Sequence, residues 1–194
     1  MVARDARALG MRRPEAIPFD TAHTVPWVAC GVAAGVLGAS CVAAFFLLLD
    51  TAAGNPFWTP YALASALLRG RIPSVLAAPD APLVLAYTAI HFSLFVGFAT
   101  PAAFWVLGRL PSARGRGRAT LLAVVLFGAL QAAFLTMAAL FAPELVYTFT
   151  AGRMAIANAL AAAAISAFLF GRVRHRRVHR HRPRDPRLAR RGRR

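Results

Sequence analysis

The run VPWVACGVAAGVLGASCVAAFFLLL, residues 25–49, decides the fold, because none of its positions is Asp, Glu, Lys or Arg. A helix needs about 20 apolar residues, at about 1.5 Å of rise each, to cross the hydrocarbon of a bilayer, and this run exceeds that. Working outward, the same exclusion of charge recurs between Asp80 and Arg109, between Arg118 and Glu144, and between Glu144 and Arg172, where only Arg153 interrupts it. A charged side chain at mid-membrane costs about 2.5 to 3.5 kcal/mol, so charge confined between apolar stretches is the pattern a bilayer selects. A 58% hydrophobic composition and a mean hydropathy of +0.55 agree with that class and exceed what a water-soluble core of this length needs.

These stretches predict an all-α fold, a four-transmembrane-helix bundle with spans at about 25–49, 83–107, 119–142 and 150–171. A cytoplasmic segment 1–24 precedes the bundle, an outer loop 50–82 joins its first two spans, and a basic disordered tail 172–194 follows it. The first span is too long for the apolar core of a cleaved signal peptide and is read as a retained helix. Arg153 falls at the outer headgroup level, where a long side chain snorkels.

All 23 basic residues are arginines, and the formal net charge is +16. Four precede the first span, four lie in the connection 109–118, and twelve lie in the tail, whereas only Arg69, Arg71 and Arg153 fall on the opposite side. The positive-inside rule therefore places both termini in the cytoplasm of a bacterial-type cell, with the chain in the inner membrane as a multi-pass protein. The arginine-rich tail is expected to lie against anionic lipid headgroups; nucleic acid is not the expected partner, because topology accounts for where the arginines sit.

Few residues carry chemistry. Cys30 and Cys41 are about 16 Å apart along one helix, so they cannot bond to each other and read as small packing residues. Gly31, Gly35 and Gly38 make one face of the first span smooth, which allows close helix approach within the bundle or in a homo-oligomer. His91 is the lone histidine of the spans, within a helical turn of Tyr87 and Thr88, so the three share a face. Its functional readings are a haem ligand, a quinone contact or a proton-transfer site; its structural reading is a hydrogen bond to a neighbouring helix. Pro101 predicts a kink in the second span. Among the uncharged polar residues Gln131, Thr136, Asn158 and Ser166, Asn158 is best placed to link helices, with small neighbours on its side. No carboxylate is expected inside the membrane, and no catalytic residues or metal ligands are predicted, which leaves membrane proteases, coupled transporters and transferases without their usual groups.

The outer loop carries Gly54-Asn55-Pro56-Phe57-Trp58-Thr59-Pro60-Tyr61. Thr59 reads as a helix N-cap, Pro60 as the first helical residue and Gly70 as the stop. The resulting short amphipathic helix is expected at the membrane interface, with Leu63, Leu67 and Leu68 toward the acyl chains, as a cover over the bundle or as a lid on a ligand site.

Gly54-x-Pro56-Phe57-x-Thr59-Pro60 after the first span, with Tyr87-Thr88-x-x-His91-Phe92 opening the second, resembles a group of small bacterial four-helix integral membrane proteins. The resemblance covers the first two spans and their outer loop. It implies that the loop residues Pro56, Trp58, Thr59 and Pro60 and the Tyr87, Thr88, His91 turn form the working surface, without implying an activity. The expected function is a non-enzymatic accessory or assembly component that packs against itself or a larger membrane complex. The alternatives are a redox protein holding haem or quinone at His91, and a small permease or flippase whose path runs beneath the outer segment.

Overall fold

The computed structural model describes residues 25–108, 116–141, 143–144 and 151–180, with the side chains at 25, 26, 108, 116, 151 and 173–180 left aside. The expected cytoplasmic segment 1–24, residues 109–115 of the second connection and tail residues 181–194 lie outside the described residues. The regular structure of the described residues is all helical: α1 Val25–Ala52, α2 Trp58–Arg69, α3 Ala81–Gly108, α4 Arg116–Phe141 and α5 Ala151–Arg180. Four of these helices are long and apolar enough to cross a membrane; α2 is not among them.

Each long helix overruns its expected span by a few residues at one end or both, while the expected end of the third span at 142 and start of the fourth at 150 lie outside the described residues. The largest overrun is in α5, whose backbone is helical to Arg180, nine residues into the segment expected to be disordered. Extending a helix that is already nucleated adds a hydrogen bond for every residue fixed, arginine is a good helix former, and the segment from Arg172 onward has no proline before Pro183. α3 runs unbroken through Pro101.

In space the long helices follow the order α3, α1, α5, α4. α1 packs on α3 along one side and on α5 along the other, and α4 packs mainly on α5. The α1–α3 pair is antiparallel in a register read from successive partners: Trp27 meets Phe104 edge-on with centroids 5.2 Å apart, Gly31 meets Thr100, Gly35 meets Val96, and Ala39 meets His91. The glycines set the separation. A Cβ built on Gly31 would lie 2.6 Å from the Thr100 Cα, and one on Gly35 would lie 2.6 Å from the Val96 Cα, closer than real Cβ atoms come. A Cβ on Gly38 would lie 2.6 Å from the end of the Ile165 side chain of α5, so one stripe of α1 serves both neighbours.

The buried residues form one main cluster spanning all five helices, including Phe46, Phe95, Leu130, Phe134, Ile165 and Leu169. Large apolar side chains also cover the outside of the bundle: Leu48, Leu85 and Leu140 are each about 70% exposed. Water would penalise such a surface by about 25 cal/mol for every Å² of it, and lipid does not.

Candidate functional site

α1 ends in a tight reversal. Gly54 adopts φ 78, its N–H donates to the Thr51 carbonyl (3.0 Å), and the N–H of Asn55 donates to the Asp50 carbonyl (2.9 Å). This pair of bonds satisfies the last carbonyls of α1 and turns the chain back on itself, as a glycine-terminated helix end requires. Phe57 completes the reversal in the left-handed region at φ 68, a conformation that costs a phenylalanine on the order of 1 kcal/mol. α2 then starts at Trp58, two residues before the expected Pro60, with Phe57 in the capping position and no side-chain bond from it.

The cap comes from elsewhere in the chain. Asp50, 7% exposed, accepts the backbone N–H of Thr59 at Oδ2 (2.8 Å) and the Thr59 hydroxyl at Oδ1 (2.7 Å). A capping side chain normally accepts the N–H of the second or third helical residue, and here a carboxylate from the preceding helix takes that place. The partial positive charge at the start of α2 adds to its stability. Thr59, read from sequence as the cap, is the residue that is capped. Asp50 lies inside α1, two residues from its end, and is buried.

α2 is enclosed on more sides than an interfacial helix needs. Tyr61 through Ala66 are six consecutive buried residues, and Leu63, expected to face acyl chains, is 3% exposed, while Leu68 is 51% exposed. Ala62, Ala64, Ser65 and Ala66 are small enough for neighbouring helices to close around them. α2 packs chiefly on α3, with smaller contacts to α1 and α4. Its far end is fixed by the ion pair of Arg69 with Asp80 (2.9 Å) and by Gly70 at φ 65, whose N–H donates to the Ala66 carbonyl. Asn55 donates to the Val75 carbonyl (2.7 Å), tying the two halves of the loop together.

On α3, His91 donates from Nε2 to the Ala39 carbonyl of α1 at 3.2 Å. A carbonyl only accepts, so the bond fixes the tautomer, and Nδ1 is the acceptor of the neutral ring. The imidazole lies against Tyr87 (centroids 5.7 Å apart, stacked) and Phe95 (4.8 Å). Thr88 turns its hydroxyl back on the Val84 carbonyl (2.7 Å). Across the bundle, Asn158 of α5 donates to the Gln131 side-chain oxygen of α4 at 2.9 Å. Ser166 is buried with its hydroxyl unpartnered among the described residues, and Thr136 is exposed.

These groups meet in one cavity of about 640 Å³. Its walls are mostly apolar, from Phe46, Leu63, Phe95, Phe134 and Met137 among others, and all five helices contribute. It spans Ser40 to Asp50 of α1, a length of about 15 Å. The helix order explains its position, since α3 and α4 stand at opposite ends of the row, with α2 and α5 each touching both. Of the residues singled out by sequence, Thr59, Pro60, Tyr87, Thr88, His91 and Asn158 line this cavity. Pro56 is exposed, Trp58 packs against the main core, and Gly31, Gly35 and Gly38 lie in helix contacts away from it. Asp50 is the lining residue sequence reasoning missed; the signal was an acidic residue nine positions before a Thr-Pro helix start.

No family model, curated protein or solved structure matches this chain. The class rests on the fold alone: among the described residues the regular structure is all helical, with four helices long and apolar enough to cross a membrane, which points to a membrane protein.

Proposed function

We propose that this chain is a multi-pass protein of a bacterial-type inner membrane that holds a lipophilic molecule in the cleft between α3 and α4, as a small non-enzymatic carrier or permease. The observation that carries the reading is the cavity of about 640 Å³, apolar for most of its wall and dotted with a few polar groups. Helical interiors pack closely, with few voids larger than a water molecule, whereas ligand sites occupy about 300 to 1,000 Å³ with this mixture of walls. The arginine distribution supports an orientation with both termini inside. α2 then lies at the outer face as a lid, with Leu63 and Leu67 over the cavity and Leu68 turned outward. The assembly-subunit reading draws less support, because Gly31 and Gly35, the smooth face that would receive a partner, are spent on α3.

Ala133 of α4 lines the cavity and is half-buried, so Ala133→Trp fills the space from one wall. The wild-type protein, purified in mild detergent, should retain a lipophilic molecule at near-stoichiometric level through detergent exchange, detectable by mass spectrometry of the organic extract. Ala133→Trp should lose it while keeping its helix content. Equal retention by the two proteins, or none by the wild type, would refute the reading.

A further inference from the structure

We infer that the cavity selects a lipophilic cation, an amphiphile whose ammonium head sits at Asp50 and whose apolar chain runs along α1 toward His91. The inference rests on the lipophilic-ligand reading above and adds the chemistry of the head.

The first observation is a carboxylate without a counter-charge among the described residues. Asp50 is 93% buried by its 7% exposure, lines the cavity, and among the described residues is bonded by the two Thr59 donors. In a chain of 23 arginines and net charge +16 this is conspicuous. The arginines that share the loop region do not come to it: Arg69 pairs with Asp80 instead, and Arg71 is exposed. A carboxylate offers about four lone-pair positions, and Thr59 uses two, so Asp50 keeps capacity for a donor arriving from the cavity. Capping α2 explains why Asp50 is held in place. It does not neutralise the full charge, because the helix end supplies only about half of one.

The second observation is the state of the other polar groups lining the cavity. The Thr59 hydroxyl donates to Asp50, the Thr88 hydroxyl to the Val84 carbonyl, His91 Nε2 to the Ala39 carbonyl, and Asn158 Nδ2 to Gln131. These bonds leave one N–H of the Asn158 amide free, and the rest of what remains at these groups is acceptor: the Asn158 side-chain oxygen, the hydroxyl oxygens and the second imidazole nitrogen. The hydroxyls of Ser40 and Tyr87 can donate as well. A site whose charge is one carboxylate and whose remaining polar capacity is mainly acceptor recognises a donor-rich cation, and disfavours a carboxylate or phosphate head.

The third observation is distance. Asp50 stands at the α2 end, and the Ala39 to His91 contact lies eleven residues, about 16 Å, away along α1, with apolar wall between. That spacing separates a head subsite from a tail channel.

Three probes of equal chain length test this: dodecylammonium, dodecanol and dodecanoate, titrated against the full chain in nanodiscs of zwitterionic lipid, with empty discs as the blank. Binding is read by calorimetry for the wild type, Asp50→Asn and Ala133→Trp. Asparagine caps a helix as well as aspartate does, so Asp50→Asn keeps α2 anchored while removing the charge. Dodecylammonium should bind the wild type at least tenfold more tightly than dodecanol, with dodecanoate weakest. Asp50→Asn should erase that preference and leave dodecanol unchanged, and Ala133→Trp should bind none of the three. The preference would oppose the net positive charge of the chain, which favours dodecanoate by long-range attraction. If all three bind the wild type equally and Ala133→Trp abolishes all three, the cation selectivity falls while the cavity reading stands. Ammonium preference that survives in Asp50→Asn likewise overturns the assignment to Asp50. If no probe binds the wild type, both readings fall.

Discussion

Substituting Gly35 by alanine tests the α1–α3 contact on which the whole bundle is aligned. The added methyl would start 2.6 Å from the Val96 Cα, 2.7 Å from its N and 2.9 Å from the Phe95 carbonyl oxygen. All three atoms are backbone, so no side chain can swing aside to relieve them. Non-bonded carbons rest at about 3.5 to 4.0 Å, so the helices must part locally by about 1 Å. That shift loosens the packing on either side and stretches the His91 to Ala39 bond, now 3.2 Å, beyond hydrogen-bonding range. Overpacking of this kind costs about 1 to 3 kcal/mol, and the lost interhelical bond adds about 0.6 kcal/mol in a membrane setting. Gly97, on α3, provides the control, since a Cβ there meets nothing within 4 Å. Reversible unfolding in mixed micelles, followed by far-ultraviolet dichroism, should show Gly35→Ala destabilised by about 2 kcal/mol and Gly97→Ala unchanged or slightly stabilised. Equal stability of the two variants would mean that the α1 and α3 backbones do not approach as closely as described, and the register built on that approach would fail with it.

Thr59→Val removes the hydroxyl bond to Asp50 while leaving the backbone one, and a hydrogen bond to a buried charged group contributes about 1.5 to 3 kcal/mol. The same unfolding assay should register a loss in that range, and Thr59→Ser should restore most of it; a neutral Thr59→Val would show that α2 is held by packing alone. An alkaline phosphatase reporter fused within 144–152 should be active, as an outer-face position requires, and a cytoplasmic readout there would overturn the orientation drawn from the arginines.

The four long helices were legible because a bilayer excludes charge over a fixed length, and that signal is local to each stretch. Gly70 as the end of α2 was equally local, since a left-handed residue closing a helix is almost a property of glycine itself. The start of α2 was not. Its cap is Asp50, separated from Thr59 by a reversal through Gly54 and Phe57, and capping rules that look only at neighbouring residues assign the role to Thr59. Asp50 also served as the boundary of the first apolar run, which hid its burial: a charge that ends a span by composition can still lie inside the fold. The cavity could not be read in advance, because it depends on which helices fail to touch. Nothing in the apolar runs of α3 and α4 distinguishes neighbours from helices at opposite ends of a row.

The spatial order α3, α1, α5, α4 also differs from the order of synthesis, and this has a consequence for assembly. α1 and α3 can pair as soon as both have left the ribosome, with α2 already folded against them. α4 emerges next and finds almost no surface prepared for it, because its main neighbour is α5. Insertion in chain order would leave it waiting until the last helix arrives and brings it to the others. Such an order would pass through a closed half and a solitary helix, and damage to α5 would strand α4 rather than merely weaken one contact.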